Sequence, residues 1–356
     1  MAYLVWLIAL SVVILPVQAQ EVLRFKAWKD YIDPAVLENF QQETGIRVDY
    51  QTFTTAEELD QALVRGEHID VLVPSHFQLA GLIANKRLQA LDFRQLPHYA
   101  SVDPELLAML AALNSANRYV VPYLWGTVGL AVNPRLAEPA FGRALPNSWS
   151  LLFDERDSAS LEGCGIGWLD APEETLSLWL NYRGKNLGRS SEGQISRAGR
   201  SLLELGRRTR SLDNERYIED LSSGRLCVAM AWVGHALTAA KANPSLQFLI
   251  PQEGALVFID SLAIPANAPH PELAYRFIDY LLQPENSVRN SLATQFYSPL
   301  SSGAPELVKL AKEQPMLVPD QRERRRLYFL EKLSVEQKQA VDRLWQGVKQ
   351  SRTAVP

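Results

Sequence analysis

The chain has 356 residues, of which 47% are hydrophobic and 21% charged, and its formal net charge is −4. That length suffices for two domains of ordinary size, and the composition is globular, without a low-complexity tract. The mild acidic balance argues against nucleic acid as the main partner, because DNA and RNA binders carry a basic excess.

Residues 4–15 (LVWLIALSVVIL) form one apolar run that ends in Pro16-Val17-Gln18-Ala19, a small-residue cleavage site. The run is too short to span a bilayer comfortably and fits the apolar region of a secretory signal peptide, although no Lys or Arg precedes it. Residues 1–19 are therefore expected to be a signal peptide directing the chain to the periplasm; a short anchor that stays attached is the alternative. No Cys follows the cleavage site, so no lipoprotein anchor is expected. No later stretch reaches the ~18 apolar residues of a membrane span.

Alternation over 22–28 predicts a strand ending at Trp28. Asp33-Pro34 then supplies an N-cap and a proline at the first helical position. Val36, Leu37 and Phe40 share one helical face, and Gly45 stops that helix. A strand at 46–50 follows. Thr54 and Glu57 stand at capping-box spacing before a helix at 56–64. A nearly all-apolar strand at 69–73 runs through Pro74-Ser75 into a helix at 76–86. This β-α-β-α-β-α order is that of a parallel sheet covered by helices. Residues 122–134 read as a strand crossing into a second region. There, helices are expected at 173–182, 196–209 and 215–221, with a strand at 226–232. A second crossing falls at 249–265, with amphipathic helices after it at 271–282 and 335–349. The expected fold class is α/β, with two discontinuous lobes, 20–127 plus 258–310 and 128–257 plus 311–356. Two crossing strands make a hinge that lets lobes close around a ligand.

In an exported chain, two cysteines, Cys164 and Cys227, read as one disulfide. It would remove unfolded-state entropy equivalent to about 4 kcal/mol. A metal site lacks partners: there is no CxxC, HxxxH or HExxH, and His68, His76, His98, His235 and His270 are scattered. The basic run Arg322-Glu323-Arg324-Arg325-Arg326 reads as a solvated surface.

Catalytic parts are missing. There is no phosphate-loop motif and no GxSxG elbow. Gly163-Cys164-Gly165-Ile166-Gly167 has the wrong spacing for a dinucleotide and reads as a turn near the disulfide. Ser75-His76 reads as a surface or capping pair, since a nucleophile and its base are brought together in space. What recurs is an aromatic residue beside a carboxylate at a strand end. Trp28, Asp30 and Tyr31 follow the first strand. Phe258 and Asp260 project from one face of a strand. Glu173 and Glu174 open a helix after Asp170-Ala171-Pro172, and Trp232 ends the strand that carries Cys227. In open α/β sheets, ligands sit beyond the carboxyl ends of strands. Aromatic faces attract cations by roughly 0.5–2 kcal/mol each, and carboxylates give charge-assisted hydrogen bonds to an ammonium. Any single pair alone reads as core packing or a helix cap; four pairs together point to an alkyl amine.

The same residues resemble the periplasmic putrescine- and spermidine-binding proteins of bacterial polyamine ABC transporters. The resemblance covers nearly the whole mature chain. It rests on W-x-D-Y-I from Trp28, F-x-x-E-T-G-I from Phe40, D-x-x-V-P-S from Asp70, L-D-A-P-E-E from Leu169, and Gly254-Ala255 leading to F-x-D at Phe258. It implies a class II periplasmic-binding-protein fold with the ligand cleft between the lobes, and a disulfide at the two cysteines. It also implies ligand contacts from Trp28, Asp30, Tyr31, Ser75, Glu174, Trp232, Phe258, Asp260 and Tyr297.

Two positions depart from the family. Lys29 stands where the putrescine binders have a small serine, and His235 where they have an amine-binding aspartate. A desolvated ammonium must be paired, so losing one carboxylate and gaining a lysine disfavours a plain diamine. Lys29 either turns outward, as long amphipathic side chains often do, or pairs with Asp30, Glu174 or an anionic ligand group. The ligand is then expected to carry one ammonium and one neutral or anionic end, such as an ω-amino acid or an acylated or guanidino amine. The expected partner is an inner-membrane ABC permease; docking on a membrane sensor is the alternative, and an enzyme is the least favoured reading. No cofactor or metal is expected, and the protein is expected to be a monomer.

Overall fold

A computed structural model describes residues 20–353. The expected signal peptide at 1–19 lies outside the described residues.

Ten strands form one sheet: β1 (Val22–Trp28), β2 (Arg47–Phe53), β3 (Val71–Leu72), β4 (Val120–Val132), β5 (Ile166–Trp168), β6 (Thr209–Leu212), β7 (Val228–Trp232), β8 (Gln247–Leu249), β9 (Ala255–Ala263) and β10 (Leu327–Tyr328). Their order is β2-β1-β3-β9-β4-β7-β5-β6, with β10 on β9 and β8 on β4. β1 runs parallel to β2 and β3, and β5 parallel to β6 and β7. Between these parallel groups lie the antiparallel β4 and β9, paired from Val120 opposite Ala263 to Val128 opposite Leu256. β4 is buried at all 13 positions, as expected of a strand covered on both faces. β4 and β9 are the two crossing strands expected at 122–134 and 249–265.

The apolar side chains divide into two cores. The first gathers residues from Leu23 to Trp125 and from Val257 to Leu317, together with Val233 and Leu237. The second runs from Val128 to Ala231, with Ala236, Ala239, Leu246 and Leu256, and ends in Ala340, Val341, Trp345 and Val348. A third passage between the cores was not anticipated. Leu327 and Phe329 pack on the first core, Tyr328 and Leu330 on the second, and β10 pairs with Ala255 and Leu256. Two paired residues are too few to leave a visible period in sequence.

Several elements differ from expectation. β3 is only two residues long, although the N–H groups of Val73 and of the fully buried Asp70 still bond β1; Asp70 is also held through its side chain. Its carboxylate accepts the Arg24 N–H at 2.8 Å and the His270 N–H at 2.9 Å. The N-cap of helix Ala56–Val64 is Thr55, not Thr54: its hydroxyl takes the Glu58 N–H at 3.2 Å, while the Glu58 carboxylate takes the Thr54 N–H at 2.7 Å. The helix expected at 196–209 is Glu192–Arg207, started by a capping box between Ser191 and Gln194. Helix Pro34–Thr44 begins and stops as expected, with Asp33 capping the Ala35 N–H and Gly45 at φ 74°.

The basic run is not simply a solvated surface. Arg322 and Arg325 are exposed, but the Arg324 guanidinium lies over the Trp125 ring. It also pairs with Asp103 at 2.6 Å and Glu105 at 2.9 Å. A planar guanidinium can bury itself by stacking and forked pairing together.

Cys164 and Cys227 form a disulfide, with Cα atoms 5.6 Å apart. It joins the turn before β5 to the residue before β7. In that turn Gly165 has φ +104°, and a side chain there would meet the Arg225 carbonyl, so the glycines serve the turn.

Candidate functional site

The site is assembled from strand ends near the meeting of the two cores. Asp260, near the end of β9, is 4% exposed. Its carboxylate accepts the Tyr31 phenol at 2.5 Å and the Ser75 hydroxyl. β9 meets the residues after β3 through a bridge between Ser75 and Asp260 and a Ser261 N–H bond to the Pro74 carbonyl. Ser75 also caps helix His76–Ala84, its own N–H held by Gln78. No salt bridge reaches Asp260 among the described residues. Burial pushes its pKa from 3.8 up to about 6, against the pull of Ser75 and Tyr31. Burial likewise holds the Tyr31 phenol well above its usual range, with the Asp260 charge adding to it. This is a carboxylate with neutral hydrogen-bond donors and no cation.

Phe296 joins this group to the other core. Its ring lies 5.2 Å from Tyr31, 5.8 Å from Phe258 and 6.3 Å from His235. Gly126 and Gly234 make room: a side-chain carbon on the first would meet Phe258 at 2.5 Å, and one on the second would meet Phe296 at 2.5 Å. On the far side, Trp232 ends β7 and caps helix Val233–Ala242, which carries His235. The Trp232 and His235 rings meet edge-on at 5.3 Å. His235 Nδ1 lies 3.0 Å from the Tyr217 hydroxyl, and burial lowers the His235 pKa to about 4. Glu174, in the first turn of helix Pro172–Tyr182, is half-buried as a residue, but its Oε2 is fully buried without a hydrogen-bond partner. Burial raises its pKa from 4.5 to about 7, against the pull of the Trp232 indole.

The other expected residues are more peripheral. Trp28 packs on Phe53 at 4.6 Å, with its indole nitrogen buried and unpartnered. Asp30 is exposed in the left-handed region at φ 56°, which Asp tolerates better than most residues; its charge raises the Tyr50 pKa, after burial. Lys29 is exposed and forms no ion pair among the described residues, neither with Asp30 nor with Glu174. Tyr297 packs on Trp125 at 4.8 Å, with its backbone paired to the same residue, and is not hydrogen-bonded to Asp260. His76 is not a surface residue: it is 6% exposed, stacks on Phe329 at 4.7 Å, and burial lowers its pKa to about 4.

Sequence reasoning missed Phe296, Tyr217 and Tyr123, whose hydroxyl holds the Tyr31 carbonyl at 3.0 Å. Phe296 and Tyr123 have no carboxylate nearby in sequence, and Tyr217, two residues from Glu215 and Glu219, lies in a helix and not at a strand end. Among the described residues no group of three or more His, Cys, Asp or Glu side chains is placed to hold a metal ion.

The family model described as bacterial extracellular solute-binding protein matches residues 35–317. The chain belongs to that family. This solute-binding protein is 34% identical to the putrescine-binding periplasmic protein of Escherichia coli, over 94% of the chain and 92% of that protein. It is also 34% identical to a putrescine/agmatine-binding protein of Pseudomonas aeruginosa, over 93% of the chain and 92% of that protein. Among solved structures, a spermidine/putrescine ABC transporter substrate-binding protein of Streptococcus pneumoniae superposes with a TM-score of 0.82. The match covers 93% of this chain and 99% of that one at 24% identity, a likeness of fold. A second, from Listeria monocytogenes, a putative spermidine/putrescine ABC transporter, has a TM-score of 0.78 at 26% identity, covering 92% and 99%. Like those periplasmic relatives, this solute-binding protein is periplasmic. No described helix is long and apolar enough to cross a membrane. Its relatives bind solutes and are not named as enzymes.

Proposed function

We propose that this protein captures a polyamine-related amine in the periplasm and presents it, unaltered, to an ABC permease of the inner membrane. The observation that carries this reading is Asp260: a buried carboxylate, hydrogen-bonded by Tyr31 and Ser75, bordered by aromatic rings and facing no protein cation. An ammonium supplies the missing charge, and the rings of Phe258 and Phe296 suit its alkyl chain. Glu174, with an unpartnered buried oxygen, supports a second polar contact near Trp232. The names of the relatives support the same solute class.

The ligand would lie between the two cores, contacted by Trp28, Asp30, Tyr31, Ser75, Glu174, Trp232, His235, Phe258 and Asp260. Tyr297 would support it through Trp125. The protein acts as a monomer in this reading. Calorimetric titration with putrescine, spermidine, agmatine, 4-aminobutyrate and 5-aminovalerate tests it: at least one should bind stoichiometrically without turnover. Silence from all five would remove the amine reading.

A further inference from the structure

The far side of the site is chemically unlike the Asp260 side. Tyr217 is 1% exposed, and its hydroxyl has one proton to place. Burial holds the Tyr217 phenol well above its usual range, against a smaller downward pull from the Trp232 backbone. Burial keeps the phenol neutral, and the proton it retains needs an acceptor. His235 Nδ1, at 3.0 Å, is the one acceptor within its reach among the described residues. If Nδ1 carried a proton instead, a buried phenolic O–H would be left without a partner, at a cost of about 1–3 kcal/mol. Tyr217 therefore donates to Nδ1, and the imidazole proton sits on Nε2, as the partner of one ring nitrogen fixes the state of the other. Burial keeps this imidazole neutral at pH 7. Nε2 has no partner among the described residues, so it offers a free, uncharged N–H donor.

We propose that the Tyr217–His235 pair selects an amine whose other end is a secondary amide: the ammonium pairs with Asp260, the amide carbonyl accepts from His235 Nε2–H, and the amide N–H donates to Glu174. The proposal rests on the amine reading above and names its ligand class more closely. A second ammonium cannot use His235, because a donor would face a donor. A free carboxylate would satisfy His235 but would lie near Glu174, whose charge already reaches Tyr217. An amide supplies one acceptor and one donor without charge, which suits a neutral donor beside a buried carboxyl. Phe296 touches both Tyr31 and His235, so one alkyl chain lying along its ring can reach both groups.

The test compares N-acetylputrescine, putrescine and 4-aminobutyrate by calorimetry on the full mature chain. N-acetylputrescine should bind best, ahead of putrescine by about tenfold or more, the scale of one mismatched buried polar contact. His235→Asp should reverse that order, and Tyr217→Phe should shrink the gap by freeing the tautomer. If His235→Asp misfolds, His235→Gln serves, since it keeps an N–H donor and should retain the order. Imidazole nitrogen NMR of the unliganded protein reads the tautomer independently: a proton on Nε2 is expected, and a proton on Nδ1 would overturn the proposal. Tighter binding of putrescine than of its acetyl derivative would also overturn it while leaving the amine reading intact. Failure of all three ligands to bind would overturn it too, and the amine reading would then rest on spermidine, agmatine and 5-aminovalerate.

Discussion

Tyr31 donates its phenol to Asp260 across 229 positions of sequence, at 2.5 Å. The bond ties the loop after β1 to the far end of β9. It also leaves the carboxylate with neutral donors where a salt bridge would have silenced it. Buried charge without a counter-ion is costly, and functional sites are where such costs are tolerated.

Asp260→Asn is therefore expected to act in opposite directions on binding and stability. Asparagine can accept from one of the two hydroxyls and donate its Nδ2–H to the other, whose oxygen can accept, so the local fold is kept. The unliganded variant should melt higher at neutral pH, because no charge is buried. Amine affinity should fall by on the order of a hundredfold, the cost of leaving a desolvated ammonium unpaired. Calorimetry and thermal melts on the same samples check both signs.

Amine binding should release protons. Burial raises Asp260 to about 6 and Glu174 to about 7. A bound ammonium pulls the Asp260 pKa down, so affinity rises as pH increases through about 6 and then levels off. Near pH 6 the titration heat should depend on the ionisation enthalpy of the buffer. Identical heats in phosphate and Bis-Tris would contradict this.

The pH dependence of unliganded stability has the reverse sign. Asp260 has a folded pKa above its unfolded value of 3.8. Between those values the folded state holds more protons than the unfolded state, so this group's contribution falls as pH rises from about 4 to about 6. The melting temperature of the natural protein minus that of Asp260→Asn should drop across this window. A flat difference would mean that Asp260 is not shifted upward.

Replacing both Cys164 and Cys227 by serine should destabilise the protein by about 4 kcal/mol if chain entropy governs. The 63-residue separation brackets β5, helix Pro172–Tyr182 and β6, all on the Glu174 side. Chemical denaturation of oxidised and reduced protein measures it, and no loss on reduction would count against the model.

Arg324→Ala should cost about 3 kcal/mol, because it strands the buried Asp103 carboxylate as well as removing a cation from the Trp125 face. Arg322→Ala and Arg325→Ala, at exposed positions of the same run, should stay within about 0.5 kcal/mol. Urea midpoints for the three variants separate a buried tie from a solvated patch.

Local rules were legible where one residue type satisfies one backbone need. Asp33, Pro34 and Gly45 bound their helix as expected because caps and left-handed stops depend on immediate neighbours. Alternation placed β1, and the largely apolar segment at 122–134 placed β4. Legibility ended where a partner came from far away. The buried Asp70 carboxylate is taken by the N–H groups of Arg24 and His270, the latter 200 positions away. Arg324 looked solvated because Asp103 and Trp125 lie some 200 positions earlier in the chain. Phe296 and Tyr217 carry no local signal, as an aromatic residue is usual in any core.

The sequence by itself determined the α/β order, the two crossing strands and the aromatic–acid pairs, since these depend on periodicity and near neighbours. Only the tertiary structure decided what the pairs mean. Strand pairing sets Asp260 against Tyr31 and Ser75, helix packing sets His235 against Tyr217, and Lys29 is left in solvent. Charge, tautomer and pKa at these positions follow from desolvation and from hydrogen-bond partners, and both are fixed only when distant segments close upon one another.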